Sequence, residues 1–425
     1  MFDVHLVLLF IGFLLLVCVL LSKFTAKIGV PALLIFLIVG LILDTNQVIS
    51  SSIKNYNMIQ SISIFALIII MFSGGLDTEL ANIKRVTWEG ISLSTVGVFI
   101  TAIVVGILVH LLFGLGWLDS FLIGSIISST DAAAVFSIFK TQKLHIKDNL
   151  DHMLELESAT NDPMAYILVT SVIYLIIHPE TSMLLLIFNF FKSLALGLIM
   201  GAILGKGFSK LLARIKLSVE GLYPVLLLSA AILSFAATEV VGGNGFLSVY
   251  IAAVIIGNCK IKYKYTQLSF FEGIAWIMQI VMFVLLGAFS SIKELIPMLI
   301  PAIWIAMILT FVARPIAVLI SLAPFDIDRP SKAFVSWAGI KGAVPIVFAF
   351  YPLVHGIYNA QMIFDIVMVV TCISVLVQGS TLKFMAGQPE SKIQHQIPYL
   401  NFPNTRHSFL ERYIFFPGFC QLHSQ

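Results

Sequence analysis

Glu157, Ser158, Asn161 and Asp162, followed at once by Pro163, lie inside a strongly apolar stretch that runs from residue 153 to residue 178. An ionised Asp or Glu at the centre of a membrane helix costs about 2.5 to 3.5 kcal/mol even on the mildest insertion scales, and such residues mark ion or proton pathways. Residues four apart share a helix face, whereas residues five apart diverge by roughly 140°. Ser158 therefore shares a face with Asp162, Glu157 shares a neighbouring one with Asn161, and the two acids should play different parts. Pro163 has no N–H, so the carbonyl of Ala159 loses its helical partner. A carboxylate, an amide or hydroxyl oxygen and a freed carbonyl make a hard-oxygen site suited to Na⁺, Li⁺ or K⁺, and the same carboxylate can hold a proton instead.

Asp131, Arg314 and Lys341 are the other charges placed deep in apolar segments. With Glu157 and Asp162 they give three acids against two bases, which leaves room for one proton or one monovalent cation. Two of these charges sit where a helix should break. In Ser128-Ser129-Thr130-Asp131-Ala132-Ala133-Ala134-Val135-Phe136, small hydroxyl residues and an Asp precede a good helical run, which reads as an N-cap in mid-span with Asp131 offsetting the positive end of a half-helix. In Gly339-Ile340-Lys341-Gly342-Ala343-Val344-Pro345, two glycines and a proline surround a lysine that can offset the negative end of another. Each run taken alone also fits a plain structural part: a helix start, a kink with a snorkelling lysine, a buried Glu157–Arg314 pair, a permanently neutral Asp162. Paired broken helices in the two halves of a membrane carrier point to a binding site near the midplane.

The elements that must position these groups are membrane spans. The 425 residues are 59% hydrophobic and only 11% charged, with a mean hydropathy of +1.02, which describes a polytopic membrane protein. The first segment, Val4 to Leu21, lacks the basic start of a secretory signal and reads as a retained span. Apolar runs of suitable length predict thirteen spans, near 4–22, 29–44, 58–75, 87–113, 118–139, 153–178, 183–206, 221–241, 245–259, 269–290, 295–322, 333–354 and 360–385. Twenty Lys and Arg fall in alternate loops and the tail, and only Lys54 and Lys293 in the loops between, so the N-terminus is expected outside and the C-terminus in the cytoplasm. Residues 1–386 then form one transmembrane domain, and 387–425 a short disordered cytoplasmic tail. The four cysteines are scattered and suggest neither a disulfide framework nor a transition-metal site.

Ser129-Thr130-Asp131-Ala132-Ala133-Ala134-Val135-Phe136, Glu157-Ser158-x-x-Asn161-Asp162-Pro163, Gly242-Gly243-Asn244-Gly245-Phe246-Leu247-x-Val249-Tyr250, Arg314-Pro315 and the Gly339–Pro345 run together resemble the NhaP-type monovalent cation/proton antiporters, bacterial relatives of the animal sodium/proton exchangers. The motifs occur in family order over the whole membrane part. The resemblance implies an all-α inverted-repeat fold whose core holds two crossed broken helices and whose scaffold forms a homodimer in the bacterial inner membrane. It also implies that Asp162 binds either the cation or the proton within a site completed by Thr130 and Ser158 and supported by Asn161. Glu157 would pair with Arg314 to hold the core, and Asp131 and Lys341 would balance the half-helices. Exchange would be one for one and electroneutral, by alternating access, serving pH homeostasis with K⁺ or Na⁺ as the leading cations and Li⁺ a third. Two departures stand out: Lys341 where many relatives have Arg, which loses bidentate pairing, and a tail too short for the regulatory domain some relatives carry.

Rival classes are an intramembrane enzyme, for which the chain offers neither His-Glu-x-x-His nor Gly-x-Gly-Asp, and a carrier of an organic solute on a similar inverted repeat. No catalytic residue, cofactor or nucleic-acid partner is expected; the partners are H⁺, monovalent cations and membrane lipid.

Overall fold

Apolar runs of the chain become helices, and a few capping residues and breaks decide where they end. The structure, a computed structural model, describes residues 4–28, 32–45, 56–131, 135–136, 150–259 and 262–385. The expected tail, 387–425, lies outside the described residues, as does most of the helical run expected after Asp131.

Helices α1 (Val4–Ile28), α2 (Ala32–Thr45) and α3 (Tyr56–Asp77) lead to α4 (Thr87–Phe113) and the short α5 (Trp117–Ile126). There follow α6 (Leu150–Ile177), α7 (Met183–Arg214), α8 (Leu222–Val240), α9 (Gly245–Gly257) and α10 (Lys264–Phe289). The chain closes with α11 (Ile292–Ser321), α12 (Arg329–Trp337), α13 (Ala343–Val354) and α14 (Ala360–Met385). Among the described residues, eight helices are long and apolar enough to cross a membrane: α3, α4, α6, α7, α8, α10, α11 and α14. The other five expected spans contain shorter apolar helices. Span twelve is divided into α12 and α13 by residues 338–342, so the expected break around Lys341 is present.

Capping follows local chemistry. Gly114, at φ 66°, closes α4 by donating its N–H to the His110 carbonyl, a left-handed position that glycine takes without steric cost. Asn244 caps α9 by accepting from the Leu247 N–H at 3.0 Å. Gly197, Gly201 and Gly205 line the side of α7 that packs on α9, where a Cβ would fall 2.8 Å from the carbonyl oxygens of Asn244 and Ser248. Small residues there permit the close helix approach that packing in lipid requires.

Two halves of the chain pack as images of each other. α2 packs on α10, and its counterpart α9 packs on α3. α4 and α11, at matching places in the halves, each contain a five-residue π-helical turn, Leu93–Gly97 and Leu309–Ala313. The π turn of α4 packs against the end of α11, and that of α11 against the later part of α4. The breaks of spans five and twelve meet at one backbone hydrogen bond, from the Asp131 N–H to the Ile340 carbonyl at 2.8 Å. This is the all-helical inverted repeat with two crossed interrupted helices.

Candidate ion-binding site

α6 runs unbroken past Pro163 and packs on α5 and α13, the helical pieces on either side of the crossing. Glu157 and Asp162 face different neighbours, as their five-residue spacing dictates. The Glu157 carboxylate, 1% exposed, accepts two bonds from Arg314, Nη1 to Oε1 at 2.5 Å and Nη2 to Oε2 at 2.9 Å. Arg314 follows directly on the π turn of α11, a kind of bulge that re-aims the residue after it. Gly339 leaves the space for the guanidinium, since a Cβ there would lie 2.6 Å from Arg314 Nε. A paired, bidentate guanidinium is the arrangement that makes two buried charges tolerable in so apolar a setting.

Asp162 meets the crossing instead. Its Oδ1 accepts a hydrogen bond from the Ser129 hydroxyl. Asn161 Nδ2 donates to Thr130 Oγ1 at 2.6 Å, and the Ser158 hydroxyl donates to the Thr130 carbonyl at 3.0 Å. The Asn161 Oδ1 atom is buried and has no hydrogen-bond partner among the described residues. Asn161 is wholly buried and Asp162 is 8% exposed. A carboxylate, hydroxyls and an amide oxygen thus converge beside the non-helical residues 127–131 that follow α5, and unwound backbone is the form in which main-chain oxygen becomes available at membrane depth.

The crossing is held by Lys341, 1% exposed. Its ammonium donates to the carbonyls of Ser129 at 2.8 Å and Ser128 at 3.4 Å, just past the end of α5, and its own N–H donates to Ser374 Oγ at 2.9 Å. The cation therefore stands at the negative end of one half-helix. Asp131 lies against Gly342, where an added Cβ would collide with its carboxylate, so the acid stands at the N-terminus of α13. The N-cap read into the residues after Asp131 lies outside the described residues, and the helix start beside its side chain belongs to the other half of the fold.

Ser129 was not among the site residues read from the sequence, although it sits in the same hydroxyl run as Thr130. In the non-helical segment 129–131 no helical period says which hydroxyl faces α6, and only the crossing decides it. The count of three deep acids also needs enlarging: Asp365 in α14 is 3% exposed and accepts from Gln361 Nε2 at 3.2 and 3.4 Å. Its place five residues into a span disguised it as a residue at a helix end. Pro163 contributes its own carbonyl to another contact, accepting from Asn244 Nδ2 at 2.8 Å. Among the described residues no group of three His, Cys, Asp or Glu side chains stands close enough to hold a metal ion.

Crossed interrupted helices in inverted halves, with a buried carboxylate beside the crossing, are the architecture of secondary membrane carriers. Family membership agrees with that architecture: the model of the sodium/hydrogen exchanger transmembrane family matches residues 12–387, and the chain belongs to this family. It is 38% identical over 371 residues to the K(+)/H(+) antiporter NhaP2 of Shewanella baltica, a match covering 86% of this chain and 64% of that protein. It is 34% identical over 383 residues to the K(+)/H(+) antiporter NhaP of Alkalimonas amylolytica, covering 90% and 67%. The chain thus spans 64% of the length of the Shewanella protein. The fold matches that of the sodium proton antiporter MjNhaP1 from Methanocaldococcus jannaschii at pH 8, with a TM-score of 0.79 at 20% identity over 91% of this chain and 99% of that one.

Proposed function

We propose that the chain exchanges one monovalent cation, K⁺ or Na⁺ with Li⁺ a third candidate, for one H⁺ by alternating access, with Asp162 as the group both ions share. The single observation that carries this reading is the convergence of Asp162, Asn161 and Ser129 at the helix break. A carboxylate held by a serine hydroxyl, beside an amide oxygen with no partner among the described residues, offers a small cation oxygen ligands and offers a proton one seat. Glu157 is neutralised by Arg314 and is excluded from that role. In this reading Thr130 and Ser158 shape the site, and Asp131 and Lys341 stabilise the crossed half-helices. Only a neutralised site crosses a dry barrier readily, which couples the two ions without a third.

The names of the antiporter relatives support exchange, and the positive-inside charge bias supports an N-terminus outside and a C-terminus in the cytoplasm; a homodimer of the bacterial inner membrane acting in pH homeostasis completes the proposal on the family resemblance alone. The test is dequenching of a pH-sensitive dye in inside-out vesicles on adding NaCl, KCl or LiCl. Wild type should respond to at least one salt and Asp162→Asn to none. A wild type silent to all three salts that moves a labelled organic solute would favour the rival carrier reading.

A further inference from the structure

Every fourth residue of α6 beyond Asp162 bears a hydroxyl: Tyr166, Thr170 and Tyr174 continue the face of Ser158 and Asp162. Tyr166 stands one turn above the carboxylate. Its ring packs edge-on against Phe246 of α9 at 5.1 Å and Tyr351 of α13 at 5.5 Å, and lies 5.9 Å from Phe348. Its hydroxyl donates to Glu239 Oε2 at 3.4 Å. Glu239 is a half-buried carboxylate in the last turn of α8, and its Oε1 accepts from the Gly245 N–H at 2.8 Å. Among the described residues no Lys or Arg forms a salt bridge with it. Beyond this layer, a cavity of about 210 Å³ is lined by Thr170 and Tyr174 of the same row, with Ser171, Asn189, Lys192 and Ser193.

We infer that Tyr166 and Glu239 form the gate between Asp162 and the outer solution, and that Glu239 is the second carboxylate a cation meets on that route. This inference rests on the exchange reading above and on the expected orientation, which sends the C-terminal end of α6 outward. The four rings pack together one turn beyond Asp162, on the side of α6 that leads to Thr170 and Tyr174 of the cavity wall. The seam they close runs between α6 and α13 on one side and α8 and α9 on the other, and it is crossed by two hydrogen bonds, Tyr166 to Glu239 and Asn244 to the Pro163 carbonyl. The first is long, and breaking it frees a carboxylate oxygen next to the exit. A half-buried carboxylate with no Lys or Arg partner among the described residues keeps its charge available to a passing cation. A carboxylate that merely capped α9 through Gly245 would matter equally to both faces of the membrane.

Face-specific kinetics separate the two possibilities. In proteoliposomes of one orientation, Glu239→Gln should raise the cation KM at the outer face by about fivefold or more, the weight of one hydrogen bond or charge contact, and leave the inner-face KM within about twofold. Glu239→Asp should restore most of the loss. Equal shifts at both faces, or no shift, would overturn the assignment. A second readout needs no transport. With the native cysteines replaced by serine, Ala159→Cys should react with an impermeant maleimide added outside at least about threefold faster when Tyr166→Phe removes the latch, and no faster with the reagent inside. An unchanged outer rate would overturn the gate, whereas a wild type that exchanges no ions yet shows this acceleration would refute only the exchange reading.

Discussion

The hydroxyl of Ser129, in the unwound centre of one interrupted helix, donates to the carboxylate of Asp162 on the unbroken helix beside it. This one bond ties the carboxylate proposed to bind the ion to the crossing, whose two strands of chain are joined by Lys341 reaching the carbonyls of Ser128 and Ser129. Whatever moves the crossing moves the donor to the carboxylate.

Ser129→Ala should therefore weaken cation binding without unfolding the protein. A hydrogen bond to a charged group contributes about 1.5 to 3 kcal/mol, so the cation KM should rise roughly tenfold or more. Ser129→Thr, which keeps the hydroxyl, should retain most of the activity. Dye-dequenching titrations against cation concentration give both values.

Removing one member of the Glu157–Arg314 pair should act on stability before transport. Each charge is almost wholly buried, and an abandoned partner costs about 3 to 5 kcal/mol. Thermal melting in detergent should show Arg314→Met and Glu157→Leu each strongly destabilised, and the double variant less so than the sum of the two. Additive losses would show that the two side chains do not act as a pair.

Gly342→Ala should abolish transport although it adds one methyl group, because that carbon would fall on the Asp131 carboxylate at the crossing. Gly74→Ala, whose added carbon meets nothing within 4 Å, is the matching control and should transport normally. Dequenching rates normalised to membrane content compare the two.

Competition between ions gives a pH dependence. If proton and cation share Asp162, lowering the pH on the cation's side should raise its KM, approaching about tenfold per pH unit where the proton prevails, while the maximal rate at saturating cation stays constant. A maximal rate that falls while KM holds would place the proton elsewhere.

The sequence made the helices and the separate parts of the two acids legible, because hydropathy, i to i+4 spacing and the cost of buried charge are all local quantities. The divergence of Glu157 from Asp162 followed from that, whereas the partner of Glu157, Arg314, came from the family resemblance and not from any local quantity. What escaped was set by the crossing: Ser129 rather than Thr130 reaches Asp162, and Asp131 lies at the start of α13 rather than serving only its own chain segment. Both depend on how two non-helical stretches, far apart in sequence, pass each other, and no periodicity reports that. Asp365 was missed for a different reason: helix-end acids are ordinarily exposed, and its burial comes from packing by neighbouring helices.

The central claim is that one carboxylate serves both ions, and proton release on cation binding tests it most directly. Purified protein in weakly buffered detergent solution, at a pH where the site is protonated, is titrated with KCl or NaCl, and the released protons are counted by pH-stat. The account predicts one proton released per bound cation in wild type and none in Asp162→Asn. Release of about one proton from the Asp162→Asn variant, or cation binding by wild type with no proton released, would contradict it.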